Sequence, residues 1–438
     1  MTARLVPAVL KRELRTPGLV IHYIISVIGV GVLILPGHAA AEAGPLSLLA
    51  WALMIIFSYP MAIIFARLSI RHPTSRGIPE FVEYAYGPRA ARTASAMLVL
   101  TLLVGNPVLG LAAARYLLNI WDSNPPTTMV LAVGFAIMTG SILFSLLGMK
   151  VSSRVQGAVL ITLIAFIVTV LVFSMPKADV ANLRPVAPHG WLSLGGALII
   201  CFFGFIGWEN AAPVAEEVVD PRRTYRKAIL WAVIAVGALY LAMSVTVILV
   251  LPPGATDGAQ ITAFATLLQV VGGPVAARLG NVVAVVLLLL ATNVWVLGTS
   301  RVIYSTARDG LLPAVLTKVS GRNRVPFAAL LFLIPGYGIP VGLLAITGSN
   351  ETRLITATSA AFLLIFLGTF LAARRLLPGR GIQVCLVLVI ATTVVILPFF
   401  GISLLYASVL LAIAYVLTMR RKARPESAVE DTNSRRAA

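Results

Sequence analysis

Residues 29–37 read Gly-Val-Gly-Val-Leu-Ile-Leu-Pro-Gly and lie inside an apolar stretch that runs from residue 19 to residue 41. Glycine loosens a helix and proline removes a backbone N–H, so both weaken the helix where they occur. In hydrocarbon, irregular backbone is tolerated only where it is buried in protein or lines a cavity. The stretch therefore predicts a membrane-spanning helix that is broken near its centre.

A second stretch of the same kind lies in the middle of the chain. Residues 203–209 read Phe-Gly-Phe-Ile-Gly-Trp-Glu, within an apolar segment from residue 191 to residue 218 that also contains Pro213. One such interruption is explained by the ordinary use of Gly and Pro for packing and kinks in membrane helices. Two interruptions in corresponding halves of a chain instead favour a transporter binding site near the membrane midplane.

The composition supports a membrane protein. The chain has 438 residues, of which 59% are hydrophobic and only 11% are charged. No soluble domain has this composition. Because the basic residues behind the net charge of +18 lie in short loops between apolar segments, we interpret the charge as a topology signal and not as a nucleic-acid-binding surface.

The apolar pattern predicts about twelve membrane spans. Their expected positions are roughly 18–41, 46–70, 93–120, 127–147, 155–176, 191–218, 225–251, 277–306, 326–347, 352–374, 382–400 and 402–419. The corresponding regions are a cytoplasmic N-terminus (1–17), a ten-helix core (18–375), two further helices (376–419) and a disordered cytoplasmic tail (420–438).

The distribution of Lys and Arg predicts the orientation. With the N-terminus in the cytoplasm, all 34 of these residues fall in inner segments except Arg115, Lys177, Arg184, Arg278 and Arg353. This bias places both termini in the cytoplasm. It also brings the basic run 420–424 close to anionic lipid headgroups.

The positions of the two breaks predict an inverted repeat. Gly31 and Gly207 are separated by about half of the ten-helix core, so each break begins a unit of about five spans. Because five is odd, the second unit enters the membrane from the opposite side. The fold class predicted is an all-α integral membrane protein with a five-plus-five inverted repeat and broken helices 1 and 6.

The helix ends at the two breaks suit the two charged groups of an amino acid. The N-terminus of the outer half of span 1 offers free N–H groups and a positive dipole end, which favours a carboxylate. The C-terminus of the first half of span 6, near Phe203 to Ile206, offers carbonyl groups for an ammonium. A substrate amino acid would then need no charged side-chain partner.

The predicted pocket is mostly apolar, which favours a neutral, hydrophobic substrate. Glu209 is either a protonatable coupling residue or a carboxylate that caps the second half-helix, with equal weight. Asn106 either faces the site or bonds a carbonyl freed by Pro107, and Trp295 either lines the site or packs in the core. The predicted substrate-binding residues are Gly29, Val30, Gly31, Val32, Asn106, Phe203, Gly204, Phe205, Ile206, Gly207 and Trp295.

Several motifs together resemble the amino acid–polyamine–organocation (APC) superfamily of permeases over nearly the whole chain. They are the Gly-x-Gly break with Pro36, the run 205–209, Asp-Pro-Arg-Arg at 220–223, and the sets 300–304, 307–313 and 325–326 after span 8. The chain looks most like bacterial exporters of methionine and branched-chain amino acids. Some sodium-independent relatives have a lysine in span 5 at the place where sodium-coupled relatives bind the ion, but span 5 here has no lysine after Arg154. Sodium coupling would need hydroxyl groups in span 8, but Thr292-Asn293 is not a Ser/Thr pair. Neither coupling mode follows from the resemblance.

The resemblance implies a LeuT-like fold and alternating access, with substrate held by residues 29–32 and 203–207. It further implies that Phe203 acts as a gate over the substrate, that Glu209 takes part in gating, and that Asn106 and Trp295 contribute to the pocket. A plasma-membrane carrier with possible proton coupling is expected, and the Arg-, Ala- and Val-rich composition is typical of bacteria.

Two other functions are compatible with parts of the sequence. One is an exchanger of cationic amino acids or amines, for which Glu209 is the only candidate carboxylate. The other is an intramembrane lipid-modifying enzyme, which would need an acidic cluster for Mg²⁺. The one acidic cluster, Glu216, Glu217 and Asp220, is followed by four cations within residues 222–227. The sequence therefore predicts a transporter without enzymatic activity, cofactor or metal, and leaves the direction of transport open.

Overall fold

A computed structural model describes residues 14–28, 31–72, 76–122, 125–147, 153–252, 254, 262–320 and 325–419. Within these residues the regular elements are helices, and one isolated backbone bridge joins Leu14 to Val218. The predicted tail 420–438 and most of the predicted N-terminal segment lie outside the described residues.

The α-helices are numbered in chain order. They are α1 Thr16–Ile28, α2 Gly31–Ala43, α3 Ser47–Arg71, α4 Ile78–Tyr86, α5 Pro88–Gly105, α6 Pro107–Leu118, α7 Thr127–Leu146, α8 Ser153–Ser174, α9 Ser193–Phe203, α10 Pro221–Val250, α11 Ala263–Arg308, α12 Phe327–Thr347, α13 Thr352–Leu376, α14 Arg380–Ile396 and α15 Ile402–Met419. A 3₁₀ helix, Trp208–Glu217, follows α9 after a short turn.

In the described part of the chain, eleven helical segments are long and apolar enough to cross a membrane. One of them, Gly31–Arg71, contains both α2 and α3, which the 3₁₀ turn Gly44–Leu46 separates, and α1 is shorter than a span. The chain is thus an all-helical, multi-span membrane protein. The twelve spans and the inverted repeat stay predictions.

Two predicted spans have different bounds in the structure. The third, expected at 93–120, begins at Pro88 and is divided at Asn106, because Pro107 has no N–H to continue the helical ladder. The eighth, expected at 277–306, lies within α11, which begins at Ala263 and kinks at Gly273, where φ is 72°.

The second predicted break is present in the structure. Helix α9 ends at Phe203, residues 204–207 form a turn, and Gly207 has a φ of 134°. The sequence predicted a second half-helix after this turn, but the segment that follows is a 3₁₀ helix. Pro213 within it removes one backbone donor. The first predicted break falls on Gly29 and Val30, which lie outside the described residues; the described helices on either side are α1, which ends at Ile28, and α2, which begins at Gly31.

Aromatic side chains form a rigid base for the second break. The ring of Phe205 lies 5.6 Å from that of Tyr240 and 6.1 Å from that of Trp51. The rings of Trp51 and Tyr240 stack at 4.6 Å. All three side chains are fully buried, so the turn is held by large, well-packed neighbours from α3 and α10.

Candidate binding site

A cavity lies between the two helix breaks, with walls from α1, α2, α5, α6, α9, α10, α11 and α13. The predicted site residues that line it are Gly31, Asn106, Phe203, Gly204, Ile206 and Trp295. Sequence positions that are far apart thus meet in one place. Apolar side chains provide most of the remaining surface: Val27, Ile28, Ile34, Leu35, Leu102, Val108, Leu109 and Phe362.

Three other predicted residues are described but do not line this cavity. Val32 is buried in the protein core. Phe205 turns toward Trp51 and Tyr240, whose rings it contacts. Gly207 packs against α1, where a Cβ would lie only 2.4 Å from the carbonyl oxygen of Ser26. Residues beside a break can thus support it without facing the cavity.

The hydroxyl of Tyr240 lies close to two glycines of the cavity, Gly31 and Gly204. A Cβ on Gly31 would lie 2.5 Å from this oxygen, and a Cβ on Gly204 would lie 3.0 Å from it. Contacts below about 3 Å force a neighbour to move, and the Tyr240 ring is already packed on Trp51. Gly31 is therefore restricted by this phenol from α10, while Gly204 is closely packed by both the phenol and Leu35, whose Cδ1 would lie 2.9 Å from a Cβ at residue 204.

Asn106 is fixed by a network behind the cavity wall. Its amide nitrogen donates to the Thr299 hydroxyl at 2.5 Å and to the Tyr337 hydroxyl at 2.9 Å. Thr299 donates its own hydrogen to the Trp295 carbonyl at 2.9 Å, so it can only accept from Asn106. This assigns the amide orientation and corrects the alternative that Asn106 bonds a backbone carbonyl freed by Pro107.

Glu209 lies beside the second break but does not line the cavity. Its carboxylate accepts a hydrogen bond from the backbone N–H of Gly207 at 2.9 Å. Nearby, the ring of Tyr23 contacts that of Trp208 at 5.3 Å, and His22 Nε2 bonds the carbonyl of Asn210 at 2.9 Å. The carboxylate thus holds the turn as a cap, while α1 seals against the 3₁₀ helix.

Comparison with known proteins gives the family. The family model described as amino acid permease matches residues 16–418, which is most of the chain. The chain belongs to the amino acid permease family. Its APC resemblance is therefore confirmed, and the permease is a membrane transporter and not an enzyme.

The permease is similar to several bacterial proteins over most of their length. It is 28% identical to the uncharacterized amino acid permease YecA of Bacillus subtilis, covering 89% of this chain and 91% of that one. It is 27% identical to the L-methionine/branched-chain amino acid exporter YjeH of Escherichia coli, covering 92% and 95%. It is 24% identical to the branched-chain amino acid permease BcaP of B. subtilis, covering 87% and 88%.

Sequence reasoning missed several polar residues that line the cavity of the permease: Ser26, Thr101, Tyr240 and Thr358. The hydroxyl of Thr358 is buried without a hydrogen-bond partner among the described residues. A Ser, Thr or Tyr in an apolar helix gives no sequence sign of the face on which it lies. Only the packing of α1, α5, α10 and α13 brings these groups together.

The lining of the cavity contains no charged side chain among the described residues. Among those residues there is also no group of three or more His, Cys, Asp or Glu side chains that could hold a metal ion. The side chains of Glu216 and Glu217, part of the predicted acidic cluster, lie outside the described set. An uncharged cavity with a few hydroxyl and amide groups suits a net-neutral ligand.

Proposed function

We propose that the permease is a secondary active transporter of neutral, hydrophobic amino acids that works by alternating access. The observation that supports this is the cavity between the two helix breaks, whose described lining is apolar or uncharged. A lysine- or arginine-like side chain would be desolvated there without a counter-charge, which is costly. A leucine- or methionine-like side chain would match the walls.

The main chain of the substrate is assigned to the two helix ends. The carboxylate is expected at the N-terminus of α2, near Gly31, where helix N–H groups are free. In the turn after α9, the N–H groups of residues 204–206 donate to the carbonyls of residues 201–203. The ammonium is therefore assigned to the carbonyls of residues 204–206, which lie within the segment 203–206 that the sequence suggested.

The proposal also gives individual residues of the site their roles. Phe203, which lines the cavity, is proposed as the gate, and Asn106 and Trp295 as parts of the side-chain pocket. Gly29, Val30 and Val32 are retained as parts of the first break, and Phe205 and Gly207 as supports of the second. Glu209 is proposed to couple proton binding to the cap that it forms on Gly207.

The proposal extends to the topology of the permease and to the membrane in which it lies. We propose about twelve spans in a five-plus-five inverted repeat with both termini in the cytoplasm, in a bacterial plasma membrane. The named activities of YjeH and BcaP, a methionine/branched-chain exporter and a branched-chain permease, support a neutral substrate. Export or proton-coupled transport is the proposed mode.

Counterflow in proteoliposomes tests the proposal. Vesicles loaded with unlabelled leucine or methionine should accumulate the labelled amino acid, and excess leucine should block accumulation while lysine should not. Protein-free vesicles and the variant Gly31→Leu, which fills the cavity, are the controls. Varying the pH and sodium concentration reports the coupling ion. Inhibition by lysine or amines would support the cationic alternative, and no counterflow with any amino acid would overturn the substrate class.

A further inference from the structure

We propose that Arg115 and Tyr116, adjacent residues on α6, form an outer clamp that closes the binding cavity by joining α6 to α13 and α2. The inference rests on the proposed function, because a clamp of this kind has a role only if substrate reaches the cavity from that side. In the proposed topology the ion pair lies toward the outer ends of α6 and α13, on the side opposite the contact of α1 with the 3₁₀ helix, and the Tyr116 bond reaches inward to the first turn of α2.

The first half of the clamp is a two-point ion pair between a part-buried guanidinium and a buried carboxylate. Arg115 Nε donates to Glu351 Oε1 at 2.6 Å, and a terminal guanidinium nitrogen donates to Glu351 Oε2 at 3.2 Å. The side chains are only 18% and 4% exposed. A two-point guanidinium–carboxylate pair fixes orientation as well as distance. The pair joins the end of α6 to the residue that precedes α13.

The second half is a hydrogen bond from the next residue. The Tyr116 hydroxyl donates to the carbonyl of Leu33 at 2.8 Å, and both groups are buried. Leu33 lies within the first turn of α2, so this bond ties α6 to the start of that helix. Adjacent side chains on a helix point about 100° apart, so one short segment of α6 can hold two neighbouring helices at once.

The helices joined in this way are walls of the cavity. Helix α2 contributes Ile34 and Leu35, α6 contributes Leu109, and α13 contributes Thr358 and Phe362. Thr358 lies seven residues after Glu351, or about 10 Å along the helix. The ion pair is therefore placed about two helical turns beyond the cavity, where its separation would widen the gap between α6 and α13.

Arg115 is one of the few basic residues that the inside-positive pattern does not explain. A charge buried near the outer ends of membrane helices is costly and is retained where it has a partner and a role. Removing Arg115 leaves the buried Glu351 carboxylate unpaired, and removing Glu351 leaves the part-buried guanidinium without its partner, so both changes penalise the closed arrangement. An opened arrangement, in which water reaches the remaining charge, should become favoured.

Accessibility of a cavity cysteine tests the clamp. The two native cysteines, Cys201 and Cys385, are first replaced by alanine, and Leu109→Cys is added as the reporter. Full-length protein in right-side-out membrane vesicles is then treated with a positively charged, membrane-impermeant thiol reagent. We expect Arg115→Gln and Glu351→Gln each to raise the initial labelling rate at least about tenfold, because each leaves one charge of the pair without its partner.

The matched control is Arg353→Gln. Arg353 is exposed on the first turn of α13, near Glu351, so this change removes a nearby positive charge without breaking the pair. It accounts for the weaker repulsion of the positively charged reagent that follows from the loss of one nearby positive charge. The charge-reversed double variant, Arg115→Glu with Glu351→Arg, should return the rate toward that of the parent.

Tyr116→Phe removes only the hydroxyl and should raise the labelling rate by a smaller factor. If Arg115→Gln does not fold, the labelling rate of Tyr116→Phe still tests whether the clamp closes the cavity. Equal rates in all variants would overturn the clamp. So would a loss of thermal stability in Arg115→Gln with unchanged accessibility, which would show a static structural pair. Labelling needs no substrate, so a clamp response without amino-acid counterflow would leave the clamp standing and remove only the proposed substrate.

Discussion

The two helix breaks both depend on glycine, but for different physical reasons. At Gly31 the space for a side chain is taken by the end of another side chain, the Tyr240 hydroxyl. At Gly207 it is taken by backbone, the carbonyl of Ser26, and the residue also has a φ of 134°. The first restriction can be relieved by changing a neighbour. The second cannot, because neither the backbone contact nor the dihedral angle depends on a replaceable group.

Gly207→Ala should have the largest effect. A side chain at this φ is strained by about 1–3 kcal/mol, and the Cβ would also overlap the Ser26 carbonyl. We expect transport to fall below detection and the thermal stability in detergent to drop. The comparison variant Gly298→Ala, whose Cβ would meet nothing within 4 Å, should behave like the parent. Normal transport by Gly207→Ala would show that the break does not need this geometry.

Gly31→Ala should also reduce transport strongly, but this loss should be partly reversible. Tyr240→Phe removes the oxygen that a Cβ on residue 31 would meet at 2.5 Å. We expect the double variant to recover part of the activity lost in Gly31→Ala, with a coupling of about 1 kcal/mol or more for two residues in contact. The parent, Gly31→Ala, Tyr240→Phe and the double variant form a double-mutant cycle, and their initial rates of counterflow are compared.

A parallel attempt at rescue should fail at the second break. Tyr240→Phe added to Gly207→Ala should recover nothing, because the obstacle at residue 207 is backbone. Equal rescue at both breaks would contradict the distinction between a side-chain and a backbone restriction.

The difference between the breaks also marks what sequence can predict. The Gly and Pro residues of 29–37 and the Gly residues of 203–209 predict interrupted helices because the effect of these residues on the backbone is local. The end of α9 at Phe203 and the contribution of Gly31, Gly204 and Ile206 to one cavity agree with that expectation. The uncharged character of the site could likewise be predicted, since it depends on residue types alone.

The direction of each side chain could not be predicted in the same way. Phe205 is within the second break, yet it packs on Trp51 and Tyr240. Tyr240 is in the middle of an apolar helix, yet its hydroxyl meets both breaks. These outcomes depend on the rotation of α3 and α10 against α9, which is set by packing over the whole bundle and not by any local pattern.

Glu209 should show the smallest effect on maximal transport and the most informative one on pH dependence. A glutamine in its place could accept the same hydrogen bond from the Gly207 N–H that the carboxylate accepts at 2.9 Å, but it cannot release a proton. We therefore expect Glu209→Gln to keep transport within about threefold of the parent, since a replaced cap acceptor costs little, and to flatten the pH dependence. Glu209→Ala removes the acceptor as well and should lose about tenfold, as for a deleted cap.

Counterflow rates of the parent, Glu209→Gln and Glu209→Ala across a pH series separate the two roles of this carboxylate. An unchanged pH profile in Glu209→Gln, together with a loss in Glu209→Ala, would leave the cap as the function of this residue and move the coupling group elsewhere. If transport is lost in both Glu209→Gln and Glu209→Ala and its pH dependence is flat, the negative charge itself is needed to hold the second break. That break is the one whose restriction comes from backbone and cannot be removed by changing a neighbouring side chain.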